Sequence, residues 1–134
     1  MVGAAAENGG VMSNRALNRA TLWRQLLLER TNGSVLDVLR HLVGVQGQAP
    51  NPPYIGLWTR VNGFDIEHLT TLLEGKLAVR STILRATLHV LATDDFLAFR
   101  AMMQPIFVRG LQGSWGKALA GADVAAVEAF GRRY

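Results

Sequence analysis

Leu77-Ala78-Val79-Arg80-Ser81-Thr82-Ile83-Leu84-Arg85-Ala86-Thr87-Leu88-His89-Val90-Leu91-Ala92 is the stretch where the helical period of the chain breaks. Valine, isoleucine and threonine are enriched in it, and apolar and polar residues partly alternate. Both features belong to strands, where a branched side chain packs on a pleated surface. Two short strands are expected, at 78–82 and 86–91, with a turn near Leu84-Arg85. No Asn-Gly or Asp-Gly pair marks that turn.

The periodic segments before this ribbon read as helices. Ser34 is an N-cap, and Val35, Leu36, Leu39, Leu42 and Val43 form an apolar stripe at helical spacing. Asp37 lies in the first turn, where the helix dipole favours it. An earlier helix is expected from the cap Asn18 through Leu22, Leu26 and Leu27 to a stop at Gly33. Between 41 and 53 the chain cannot stay helical: Gly44 and Gly47 loosen it, and Pro50, Pro52 and Pro53 forbid continuation. A short helix carrying Tyr54, Leu57, Trp58 and Val61 follows. Asp65 then caps another, with Leu69, Leu72 and Leu73 inward and Gly75 at its end. After the ribbon, Thr93-Asp94-Asp95 is expected to cap a fifth helix that Pro105 kinks or ends. Irregular chain is expected over 106–116, and a last helix from Val124 to Tyr134.

Helices, a two-stranded ribbon and a further helix give a mainly α fold with a short β-hairpin, the order of a winged helix-turn-helix. The expected parts are a disordered leader at 1–14, a winged-helix domain at 15–92, and a helical connection at 93–134. Arg132-Arg133-Tyr134 falls inside a helix. The expectation is therefore a fragment of a longer protein.

Composition narrows the function classes. The 134 residues suffice for one domain with a core, and 49% hydrophobic with 18% charged residues is globular. With no cysteine there is no disulfide, thiolate nucleophile or thiolate zinc site. No apolar run approaches the ~20 residues of a membrane span, and no signal peptide is visible. The three histidines, His41, His68 and His89, lack metal-ligand spacing. Neither a metal nor a cofactor is expected; a cytoplasmic monomer is. The formal charge is +4, and twelve of the fourteen basic residues are arginine, which suits bidentate contact with phosphate and guanine.

Three motifs in order carry a resemblance over residues 15–134. They are Leu17-Asn18-Arg19-Ala20-Thr21-Leu22 leading to Gln25–Arg30; Val45-Gln46-Gly47-Gln48-Ala49-Pro50 followed by 54–61; and Ile83–Val90 with Asp94-Asp95. Together they resemble the winged-helix DNA glycosylases that remove alkylated purines and unhook interstrand crosslinks. The resemblance implies double-stranded DNA as partner, and a tandem winged-helix fold of which this chain would be the N-terminal part, with 93–134 leading into a second, truncated winged helix. The family's signature of glutamine, apolar residue, glutamine falls on Gln46 and Gln48, which it implies are catalytic. Gly47 stands where the family has an apolar residue, and a glycine there predicts a more mobile loop.

Two neutral amides are chemically sufficient. Cleaving an N-glycosidic bond builds positive charge on the sugar. An N7-alkylated purine is already cationic and leaves as a neutral base, so no strong general acid is required. What remains is a positioned water and acceptor dipoles for the developing cation. Gln48 would hold the water by its carbonyl, and Gln46 the sugar. The plainer reading of both is a pair of caps on orphan carbonyls at a helix end.

Arg60, Arg80 and Arg85 are candidate phosphate contacts, and Asn51 a DNA contact that turn chemistry explains equally well. Tyr54 and Trp58 could stack on a base, although helical spacing favours core packing; His89 reads as a structural histidine. The alternative to a glycosylase is a winged-helix DNA-binding regulator without chemistry; a third reading is a protein-interaction scaffold. One winged helix grips few phosphates, so the isolated chain is expected to bind DNA weakly and to turn over poorly or not at all.

Overall fold

A computed structural model describes residues 12–133. The expected leader at 1–14 and the end of the last helix at Tyr134 fall largely or wholly outside these residues. The described chain is mostly helical with one small antiparallel sheet. The helices are α1 (Asn14–Arg24), α2 (Val35–Leu42), α3 (Pro52–Trp58), α4 (Ile66–Glu74), α5 (Thr93–Gly110) and α6 (Val124–Gly131). The strands are β1 (Val45–Gln46), β2 (Ala78–Thr82) and β3 (Leu88–Ala92), in the order β1-β3-β2.

α2 starts where the sequence says it should. The Ser34 hydroxyl accepts from the Asp37 N–H, and Asp37 accepts from the Ser34 N–H, a reciprocal capping box. The Ser34 hydroxyl, and then its N–H, hold the Asp37 carboxyl below the ordinary carboxylate range. Val35, Val38 and Leu39 turn inward and meet Leu57, Val61, Leu69, Ala78 and Val90 in one core. Three helices thus close on one face of the sheet.

Four expectations need correction. First, α1 is capped by Ser13, not Asn18, and ends at Arg24, well before Gly33. Leu26 takes a left-handed backbone (φ 55°) and packs against the core; burial of the leucine outweighs the roughly 1–2 kcal/mol of that conformation. Second, Thr93 does not cap α5. Its hydroxyl donates to the Lys76 carbonyl at 2.5 Å, which ties the start of β2 to the end of β3. Third, of the two outcomes expected at Pro105, the helix does not end there but runs on to Gly110. Proline removes one N–H bond, but its fixed φ is helical, so the chain can continue past it. Fourth, residues 111–115 form a π-helical turn continuous with α5 instead of irregular chain.

The stretch after α2 also differs from expectation. Val45-Gln46 is a third strand, not loop, and pairs with β3 in the register Val45↔Val90 and Gln46↔His89. Gly44 makes this possible. Its φ is +108°, and a Cβ there would lie 3.0 Å from both the Val90 carbonyl oxygen and Leu91 Cβ. Gly44→Ala is expected to destabilise the fold by about 2 kcal/mol or more, through both strain and overlap. A denaturant midpoint unchanged from the unaltered chain would contradict this.

The β2–β3 turn is tight. Arg85 and Ala86 both have positive φ (53° and 56°), and the Thr87 N–H closes onto the Leu84 carbonyl at 3.1 Å, the pattern of a type I′ turn. Glycine adopts this backbone without the Cβ penalty. Ala86→Gly is expected to raise stability by about 0.5–1 kcal/mol, measured as a higher thermal midpoint.

Candidate functional site

The two glutamines stand on an edge strand and just past it, and β3 holds both in place. The Gly47 N–H donates to the Leu88 carbonyl at 2.8 Å. The Leu88 N–H would ordinarily return a bond to the Gly47 carbonyl. It donates instead to Gln48 Oε1 at 3.0 Å, so the Gln48 side chain replaces a rung of the ladder. An N–H can only meet an oxygen, which fixes which way this amide points. Gln48 Oε1 keeps a second lone pair, and its NH2 group makes no hydrogen bond among the described residues.

Arg80 reaches across from β2 to complete the loop. Its Nε donates to the Gly47 carbonyl at 2.7 Å and its Nη2 to the Gln48 carbonyl at 3.1 Å. Gly47 therefore does not free the loop as expected. It is buried, both its backbone groups are taken, and a Cβ would sit 3.2 Å from Val90 Cγ2 and 3.4 Å from Pro53. The missing side chain is what lets the loop lie against β3.

Because Gly47 and Leu88 are hydrogen-bonded, Gln46 and His89 form the alternate pair, whose side chains approach most closely. Ser81 continues the row on β2. His89 is the one buried polar or charged residue among those described, at 6% exposure. Its Nδ1 lies 3.0 Å from the Thr87 carbonyl, so Nδ1 carries the hydrogen and a neutral ring leaves Nε2 as an acceptor. Nε2 is not sealed off: the only buried, unpartnered side-chain nitrogen or oxygen among the described residues is Asp95 Oδ2. Nothing local in the chain sets His89 beside Gln46; only the strand register does so.

Arg60 is a strap. Its Nε donates to the Gln25 carbonyl at 2.8 Å and its Nη1 to the Gly56 carbonyl at 2.7 Å, joining the end of α1 to α3. Burial pulls its guanidinium below the ordinary arginine value. Gln25, Gln46, Pro52, Gly56 and Arg60 share the wall of a polar cavity of about 260 Å³. A larger cavity of about 630 Å³, lined by Ser34, Val61 and His68 among others, lies away from both glutamines. Arg85 is exposed at the hairpin tip, with no ion pair or hydrogen bond among the described residues. Asn51 occupies the N-cap of α3, but its side chain makes no capping bond. Trp58 is exposed, with the Arg30 guanidinium 4.7 Å above its ring, whereas Tyr54 packs partly against the core.

Gln46 and Gln48 are thus gathered with His89 and Arg80 at one end of the sheet, while Arg85 stands apart at the tip. Over residues 39–134 the sequence matches the family described as "DNA glycosylase AlkZ-like". The chain belongs to that DNA glycosylase family. No curated protein and no solved structure matches it. Membership supports a glycosylase-related function in DNA repair, with DNA as the family's substrate. Among the described residues of this family member, no group of three or more histidines and carboxylates comes together as a metal site. No helix among them is long and apolar enough to cross a membrane.

Proposed function

We propose that this chain carries the catalytic loop of a winged-helix DNA glycosylase that hydrolyses the N-glycosidic bond of an alkylated purine or a crosslinked base. The observation that carries the proposal is the clamp on Gln48: β3 orients its amide and Arg80 holds its backbone. A glycosylase of this kind needs a water placed near C1′ and acceptors for the charge growing on the sugar. Gln48 Oε1, with one lone pair on Leu88, offers the other to that water. Gln46, whose amide is exposed and unengaged among the described residues, meets the sugar. His89 Nε2 adds an acceptor beside Gln46. No residue need protonate a base that is already cationic.

The order α2-β1-α3-α4-β2-β3, with β1 beside β3, supports the winged-helix assignment. In that assignment α4 corresponds to the helix that a helix-turn-helix regulator inserts to read DNA. That helix is poorly suited to the task. Asp65, Glu67 and Glu74 lie on or beside it, and residues 65–75 contain no lysine or arginine. Phosphates would be repelled where a regulator must approach closest, which weighs against the non-catalytic reading.

The test is single-turnover base release, with protein in excess, from a duplex carrying N7-methylguanine. Release above the rate of spontaneous depurination is expected, and slow turnover suffices to show it. No release at any protein concentration would overturn the catalytic reading of this chain.

A further inference from the structure

We propose that α1 is a duplex-binding arm whose Arg15, Arg19 and Trp23 lie along the DNA backbone beside the glutamine loop. The proposal rests on DNA being the substrate, as the glycosylase reading holds. Arg15, Arg19 and Trp23 follow one another at i, i+4 and i+8, about 40° apart around the helix, and so form a single stripe. All three are exposed, Trp23 by 69%. α1 buries none of its residues. No acidic residue occurs between 12 and 28, so the arginines on this helix have no counter-charge within it. Trp23 makes no ring or cation–π contact among the described residues.

The arm is anchored at one end. Arg60 Nε donates to the Gln25 carbonyl, and His41 Nε2 lies 2.9 Å from the Arg24 carbonyl. Both bonds satisfy carbonyls left open at a helix C-terminus. Gln25 and Arg60 line the same cavity as Gln46. The helix therefore starts from the rim of that cavity and extends over 11 residues, about 16 Å. Its charge complements phosphate, and a flat exposed indole beside two arginines suits sugar and base edges. A membrane surface fits less well. Leu17 and Leu22 point about 140° apart, so α1 has no continuous apolar face to immerse.

The experiment is fluorescence anisotropy of a labelled undamaged 20-base-pair duplex against the full chain, from low to moderate salt. The variants are Arg15→Ala/Arg19→Ala, Arg15→Lys/Arg19→Lys and Trp23→Ala. The double alanine variant is expected to flatten the slope of log affinity against log salt by about 1.8, at roughly 0.9 per lost phosphate contact. The double lysine variant should restore the slope. Trp23→Ala should weaken binding roughly five-fold at every salt concentration without changing the slope. An unchanged slope in the double alanine variant overturns the proposal, and leaves the glycosylase reading to base release. A flattened slope with no base release keeps the arm and overturns the catalytic reading. Binding to phosphatidylcholine–phosphatidylserine vesicles that needs the two arginines, with duplex binding that does not, overturns the arm in favour of a membrane surface.

Discussion

Gln48→Ala is expected to lower single-turnover release of N7-methylguanine by on the order of 10²–10³-fold, the size of losing one pre-aimed dipole at a reacting centre. The substitution has two effects, and they can be separated. It removes the oxygen offered to the water, and it also strips the Leu88 N–H of its acceptor. The second effect alone should cost about 1 kcal/mol of stability. Gln48→Glu keeps an oxygen that can accept from both the Leu88 N–H and the water. It should retain near-normal stability and release base within about ten-fold of the unaltered chain, since a carboxylate also stabilises a developing cation. If Gln48→Ala releases base as fast as the unaltered chain, Gln48 has no part in the chemistry. If the glutamate variant is as slow as the alanine variant while remaining stable, the amide's donors matter and the carbonyl does not.

Arg80→Met should both destabilise the chain and slow base release, while leaving the salt dependence of DNA binding unchanged. Arg80 donates two charge-assisted bonds to the backbone of the catalytic loop, at Gly47 and Gln48. Bonds of this kind contribute about 1.5–3 kcal/mol when well shielded; Arg80 is exposed, so about 1–2 kcal/mol in total is expected. Without the fork the Gln48 carbonyl is free to shift, and a displacement of about 1 Å at a positioning group costs up to 10²-fold. Arg80→Lys should not rescue release, because an ammonium cannot span two carbonyls in a fixed plane. The competing role is the phosphate contact expected from its place on the ribbon. In that role Arg80→Met would flatten the salt slope by about 0.9 and leave the thermal midpoint where it was. The two measurements together therefore assign Arg80 to the loop or to the DNA.

Part of the backbone strain in this molecule lies beside the same loop. Val43, a β-branched residue, takes φ 59° at the end of α2, and Gly44 follows at φ 108°. A left-handed valine costs about 1–3 kcal/mol and persists only where its surroundings fix it. Here the chain must leave α2 and enter β1 within two residues, beneath β3. The bend delivers Gln46 opposite His89.

Much of the fold was legible because it depends on neighbours in sequence. Ser34 with Asp37, Asp65 before Leu69, Asp123 before Val124, and the branched run at 77–92 each act over three or four residues; α2, α4 and β2 appear where they predict, α6 starts at Val124, and β3 begins two residues later than expected, at Leu88. Gln46 and Gln48 stood out only as two amides near a helix stop, and their resemblance to a family motif gave them a role. The caps of α1 and α5 and the run beyond Pro105 failed although they are local; at the site, what failed was nonlocal. β1 is two residues long and has no period of its own; it exists because β3, more than forty positions away, offers it a ladder. Gly47 looked like a source of freedom, since nothing local shows that Val90 and Pro53 crowd it. Arg60 and Arg80 looked like phosphate contacts, since nothing local shows that their forks close on Gln25, Gly47 and Gln48. By itself the sequence determined α2, α4, the start of α6, the ribbon and the amide pair, through caps and periods that act within one or two turns. Only the tertiary structure decided how those amides are aimed, because their orientation comes from hydrogen bonds to β3 and to Arg80 that form when distant strands meet.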